Sequence, residues 1–422
     1  MWVVGLLLCL FSLSFSLSLE ELLKSAEEKN ASLLSKRYAI ESAKLQLRAD
    51  KGLYYPEFLL NYKFSWQSER QSISIPAFGS LPSLVVESSK DTYQSFQAGI
   101  RQMIFDGGQR SSKAAISERL LKISEEEYKE ALLDLRLEVI KAYLLVLSSL
   151  DQIEVIKKQK EAIEADLRQR EAFYKEGLVA ITDVLQAKVK LAEVERDLRQ
   201  AEGNYRIALA NLSRLTGIEE ERLKELEPIK SQVEVPNLKE LIDKAMVQRP
   251  ALRLAKESME VARLKRRLEL SAFYPKAFLE ALYNYSDQNP NIYPKGFFTL
   301  SAGVSLSFNA LSSYYRALSY VEEEKKSKEE LKDLAEKIAL GIKSAYERLL
   351  TARDNLRVAE ENLRLAEEFY RLSLEQYRNQ IISGTDLLGA EASLTQARKA
   401  KVIAYYDLLK AYFELLREAG EL

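Results

Sequence analysis

Two hydrophobic periods alternate along this chain, and each of them occurs twice. After Pro56 the apolar residues fall on every second position. Phe58, Leu60, Tyr62, Phe64 and Trp66 share one face, with Glu57, Asn61, Lys63 and Ser65 opposite. Period two with this aromatic content predicts a strand over about 57–67. Phe96, Ala98, Ile100 and Ile104 carry the pattern into a second strand, over about 93–105. It returns over about 276–286, where Ala277, Leu279, Ala281, Tyr283 and Tyr285 alternate and Phe278 and Leu282 interrupt the polar face. The fourth run, about 297–308, sets Phe298, Leu300, Ala302, Val304, Leu306 and Phe308 against Thr299, Ser301, Gly303, Ser305 and Ser307. Each run has about ten residues, the length of a tilted membrane strand.

Elsewhere the period lengthens. Leu132, Leu135, Val139, Ala142, Val146 and Ser149 follow a three-four spacing inside a stretch, about 108–176, that contains no proline. A second such stretch runs over about 312–379. At about 1.5 Å per residue, each long helix would span roughly 100 Å, and coiled-coil packing is the expected way to bury its stripe. Return helices follow over about 182–215 and 385–418, with Thr182 and Thr385 as candidate N-caps. One helix precedes each strand pair, over about 19–51 and 237–272.

The chain is therefore a duplication. Tyr55-Pro56 recurs 219 residues later as Tyr274-Pro275. Phe105-Asp106, Thr182-Asp183 and Thr216-Gly217 recur 203 residues later as Phe308-Asn309, Thr385-Asp386 and Ala419-Gly420. The first repeat (19–217) thus carries 16 extra residues between Pro56 and Phe105, and the second repeat (237–422) follows a linker, 218–236. The Ser-rich segment Gln67–Thr92, with Pro76 and Pro82, is expected to be a lengthened surface loop.

Composition removes several functions. Lys and Arg total 62 against 63 for Asp and Glu, so no charge excess points to nucleic acid. The chain has no histidine and a single cysteine, Cys9. Histidine-based nucleophile systems, His-ligated metals and disulfide frameworks are excluded, and neither cofactor nor metal is expected. Residues 1–18 are apolar or Ser without a charged side chain, which reads as a signal peptide cleaved after Ser16 or Ser18. No later apolar run approaches the roughly 20 residues of a spanning helix. Four strands cannot close a barrel, and an open edge is not tolerated in lipid. A membrane role therefore requires several copies, eight strands from two or twelve from three. The competing architecture is a secreted coiled-coil scaffold or adhesin, which leaves the hairpins and the leader without a purpose. An enzyme built on carboxylates has no supporting motif.

The paired turn segments carry a more specific signal. Gly177-Leu178-Val179-Ala180-Ile181-Thr182-Asp183-Val184 and Ser383-Gly384-Thr385-Asp386-Leu387-Leu388, with the Tyr-Pro pairs and Gln248-Arg249-Pro250, resemble the TolC family of outer-membrane efflux proteins. The resemblance covers essentially the whole mature chain. It implies a mainly α fold with β strands, and a homotrimer whose twelve-stranded transmembrane β-barrel sits in outer-membrane lipid. That barrel would continue as a twelve-helix α-barrel through the periplasm, with 218–236 as an equatorial linker. It also implies a periplasmic adaptor (membrane fusion) protein and an inner-membrane pump as partners of a passive conduit. By position, the family's periplasmic tip falls on Lys175–Asp183 and Arg378–Asp386. Adaptor contacts would fall on Gly177, Leu178, Val179, Ala180, Ile181, Thr182, Ile382, Ser383, Gly384 and Thr385. The pore constriction would be Asp386, with Asp183 and Tyr377 as a polar latch. Where relatives place a second acid and a locking arginine, this chain has Gly389 and Ile382.

Overall fold

The computed structural model describes residues 17–229, 233–379 and 381–422, so the expected leader lies almost wholly outside them. The chain divides into two compact units. One contains residues up to Tyr38, Glu126–Arg253 and Lys332–Leu422; the other contains Ala39–Glu125 and Leu254–Leu331.

The second unit holds the strands. β1 (Glu57–Trp66), β4 (Thr92–Phe105), β5 (Lys276–Ser286) and β6 (Gly296–Ser305) form one antiparallel sheet in the order β1-β4-β5-β6. The register aligns the apolar alternation of all four strands. Tyr62 opposes Phe96, Phe96 opposes Tyr285, and Tyr283 opposes Phe298. Phe58 and Phe298 remain 85% exposed, so no described residue of the same copy covers them. The opposite face is bonded across its width. Asn61 donates to Gln97 (3.2 Å), Gln97 to Asn284 (3.0 Å) and Asn284 to Thr299 (3.1 Å). Arg101 and Glu280 pair below this ladder at 3.1 Å.

Phe278 and Leu282, the two interruptions of the polar face, are explained by their cross-strand partners. Phe278 lies opposite Gly303, and Leu282 opposite Gly99. A Cβ at either glycine would collide with the facing side chain. The large residues occupy the space that the glycines leave open, and Arg101 stacks over the Phe278 ring at 5.3 Å.

The Ser-rich segment is more ordered than the expected loop. Ser72–Ile75 (β2) and Leu84–Glu87 (β3) pair as an antiparallel ribbon, because Ile73 and Ile75 before Pro76, and Leu84 and Val86 after Pro82, supply strand-forming alternation. Lys90 and Asp287, 2.8 Å apart, join its base to the β5–β6 connection.

The first unit is helical. It contains α1 (Leu19–Lys29), α4 (Ile181–Thr216), α5 (Leu238–Gln248) and α8 (Gly384–Ala419), with parts of α2 (Ala31–Gly52), α3 (Gln109–Lys175), α6 (Pro250–Leu270) and α7 (Ala310–Arg378). Leu22, Val139, Ile140, Tyr143, Val146, Leu212 and Leu409 are almost fully buried at its centre. No described helix is long and apolar enough to cross a membrane.

Each helix expected to precede a strand pair is instead two. Asn30 breaks the first between α1 and α2, and Arg249 breaks the second between α5 and α6. The break residues are 219 positions apart, the same offset as the Tyr-Pro pairs. Asn30 accepts from Ser32 and Leu33 as an N-cap of α2, while Pro250 opens α6, where its missing N–H costs nothing. Each break also satisfies the end of a return helix. Asn30 donates to the carbonyl of Leu215 at 3.4 Å. Arg249 donates to the carbonyls of Arg417 (3.2 Å) and Glu418, the latter 203 residues after Leu215.

Arg249 is buried and also meets the carboxylates of Glu130 (3.3 Å) and Glu418 (3.4 Å); Arg417 shares Glu130 and adds Asp134. Removing one member of such a buried network leaves uncompensated charge. The Arg249→Met variant is therefore expected to lose about 3 kcal/mol or more of stability. A thermal unfolding midpoint equal to that of the wild type would refute this role.

Candidate functional site

The two helix turns are built by the same logic with different residues. α3 ends in a Schellman motif. Gly177 takes a left-handed φ of 69°, Leu178 N–H donates to Phe173 (2.9 Å), and Gly177 N–H donates to Tyr174 (3.0 Å). At the end of α7, Ile381 N–H closes the matching bond to Gln376 at 2.8 Å. The position corresponding to Gly177 is Gln380, outside the described residues.

The return helices differ more. α4 starts at Ile181 behind Ala180, which offers no side-chain cap. α8 starts behind Ser383 with a full capping box: Ser383 Oγ accepts from Asp386 N–H (3.3 Å), and Asp386 accepts from Ser383 N–H (3.0 Å) and Oγ (2.7 Å). The expectation that Thr182 and Thr385 cap these helices is corrected. Each lies one residue inside its helix, too late to meet the free N–H groups of the first turn.

Asp386 stands exposed on the first turn of α8. The bonds from the Ser383 side chain and backbone hold its carboxyl below the usual aspartate range. It stays ionised at neutral pH, and its capping is lost only as the pH falls through that lowered value. Asp183 and Tyr377 are each partly exposed, and within one copy they make no hydrogen bond to each other. Leu178, Ile181, Leu185 and Val189 form an exposed apolar stripe beside Thr182. Thr182, Leu185, Val189 and Leu388 line a shallow groove between α4 and α8.

Sequence reading missed two residues here. Arg170, near the end of α3, is 2% exposed and reaches the second turn, donating to the Gly384 carbonyl at 3.3 Å. Glu391, two turns into α8, is also buried, and its Oε1 has no hydrogen-bond partner. Neither lies in a turn motif, and Arg170 is 214 residues from Gly384.

The model of the outer membrane efflux protein family matches residues 22–218 and 241–421, the two repeats. The chain belongs to the outer membrane efflux protein family. It is a mainly helical channel protein of the outer membrane, and not an enzyme. The outer membrane protein TolC of Vibrio cholerae is 26% identical over 276 residues, 64% of this chain and 59% of the relative. The alkaline protease secretion protein AprF of Pseudomonas aeruginosa is 23% identical over 342 residues, 79% of this chain and 70% of that protein. The Campylobacter jejuni CmeC outer membrane channel superposes with a TM-score of 0.79 over 96% of this chain and 85% of its own, at 16% identity.

The capping asymmetry gives a direct test. Ser383→Ala is expected to cost about 1 kcal/mol of local stability. Amide exchange in the first turn of α8 should accelerate accordingly, while Thr385→Ala leaves it unchanged. Equal acceleration in both variants would mean that the cap is misassigned.

Proposed function

We propose that three copies of this chain form a passive export conduit through the outer membrane, opened by a periplasmic adaptor and supplied by an inner-membrane pump. One observation carries the reading. A four-stranded sheet of membrane-length strands presents a continuous aromatic face and a continuous hydrogen-bonded polar face. Among the described residues, β1 and β6 each pair on one side only. Joining β1 of one copy to β6 of the next closes the sheet, turns the aromatics to lipid and encloses the polar ladder. Family membership favours three copies and twelve strands.

The paired turns are the adaptor-facing tip in this reading. Gly177, Leu178, Val179, Ala180, Ile181 and Thr182 on one turn, and Ile382, Ser383, Gly384 and Thr385 on the other, supply small and apolar contact positions. Asp386 is the constriction residue, with Asp183 and Tyr377 beside it. Three ionised Asp386 carboxylates around one axis would attract cations into the pore.

Planar bilayer recordings with the purified protein test this, combined with its native mass. A trimer with discrete cation-favouring conductance is expected, and Asp386→Asn should lower both cation preference and block by divalent cations. A monomer without conductance would overturn the conduit; an unchanged Asp386→Asn variant would remove the ring.

The mature chain in this reading begins at Leu17. Leu17 is buried, its N–H donates to Glu225 (2.9 Å), and its carbonyl accepts from Glu227 (3.2 Å). Ser18 caps α1 in a box with Glu21. Cleavage after Ser16 keeps these bonds, whereas cleavage after Ser18 removes them. Intact mass of the outer-membrane form should place its first residue at Leu17; a start at Leu19 would contradict this.

A further inference from the structure

The second turn is held from outside itself. The Arg170 guanidinium lies against Gly384: a Cβ at residue 384 would stand 2.7 Å from Nη2, 2.8 Å from Nη1 and 3.0 Å from Cζ. The group fits there because residue 384 has no side chain. Its Nε donates to Asp166 one turn back on α3 at 2.7 Å, and its Nη2 donates to the Gly384 carbonyl at 3.3 Å. Gly384 stands between Ser383 and Thr385, next to the box that orients Asp386. Buried Glu391 completes the cluster from α8, with an oxygen that bonds to nothing in the described structure.

None of this recurs in the first repeat. The positions 203 residues away are Ile181 for Gly384, Lys188 for Glu391 and Ser373 for Arg170. Lys188 pairs with Glu171 on the surface at 3.0 Å. The duplicated fold therefore closes its helix turns without this cluster, so general helix packing does not account for it.

We infer that Arg170 is the positioning residue of the constriction: it clamps the turn that carries Asp386 onto α3, and the buried carboxyl of Glu391 makes that clamp release as the pH rises. The inference rests on the conduit reading and deepens it.

The electrostatics set the direction. Glu391 faces Asp166 and Arg170 on α3, Lys190 on α4 and Tyr370 on α7. Burial, reinforced by Asp166 and opposed by Lys190 and Arg170, pushes its carboxyl up to about 7. Released into water, it would return to the ordinary carboxylate range. The clamped state thus binds the proton more tightly than the released state. Its advantage is complete below the ordinary glutamate value and is lost as the pH rises through about 7. Above that, an ionised Glu391 buried beside Asp166 leaves two carboxylates competing for one guanidinium. The gap between the two values caps the change in the clamped-to-released ratio at roughly three-hundredfold per copy.

Single-channel recordings from about pH 5 to about pH 9 test the clamp. Wild-type open occupancy should rise as the pH passes about 7. Glu391→Gln should hold the low, acid level throughout. Arg170→Gln and Gly384→Ala, the second by filling the guanidinium's seat, should give the high level at every pH. Arg170→Lys, which keeps charge without the planar fork, should fall between. If Arg170→Gln fails to assemble, Gly384→Ala and Glu391→Gln carry the test. A conducting wild type whose variants all keep its occupancy and pH profile overturns the clamp and leaves the conduit standing. A wild type that never conducts overturns both.

Discussion

An unpaired strand edge is the constraint from which the rest of this molecule follows. Every second residue along a free edge presents an N–H and a C=O that lipid cannot satisfy. Here β1 and β6 stand at the two edges of a sheet whose aromatic face needs an apolar environment. One copy cannot meet both demands. The interior of the sheet is already settled: the ladder from Asn61 to Thr299 spans all four strands, and Phe278 and Leu282 sit over Gly303 and Gly99. Only the edges are left for another copy to complete.

The helical unit shows what duplication keeps and what it releases. Both repeats break the leading helix at equivalent positions and use the break to satisfy the end of a return helix. Asn30 does this with one amide, and Arg249 with a guanidinium that also gathers Glu130 and Glu418. The geometry is common and the chemistry is not. At the turns the divergence is larger. Ala180 leaves α4 uncapped, whereas Ser383 and Asp386 cap α8 reciprocally, and Arg170 and Glu391 gather around the second turn alone. A symmetric scaffold thus carries an asymmetric site, and the asymmetry falls on the turn that bears Asp386.

Much of the fold was legible because its signals are local. Period-two alternation marks strands that are polar on one face, and the 203- and 219-residue offsets expose the duplication without reference to any contact. What stayed hidden has physical reasons. The break at Asn30 has no proline, and its purpose lies 185 residues away at Leu215. Arg249-Pro250 did carry a break signal, since a proline opens a helix more readily than it continues one. Ser383 and Asp386 display the spacing of a capping box, yet the echo of Thr182 in Thr385 drew the cap to the wrong residue. The pairing within 67–92 was masked by serines and prolines that read as loop. Arg170 was beyond reach, because no pattern in α3 announces a glycine on α8 as its seat.

Edge-to-edge closure between copies is the central claim, and cysteine cross-linking measures it directly. Cys9, in the expected leader, is the only native cysteine, so engineered pairs give a clean signal. Single cysteines along β1, starting at Asn61, would be combined with single cysteines along β6, starting at Thr299, and oxidised in isolated outer membranes. One register should cross-link efficiently and give a covalent ladder that ends at three chains. Absence of any β1–β6 cross-link, or a ladder that ends at two or continues beyond three, would contradict the account.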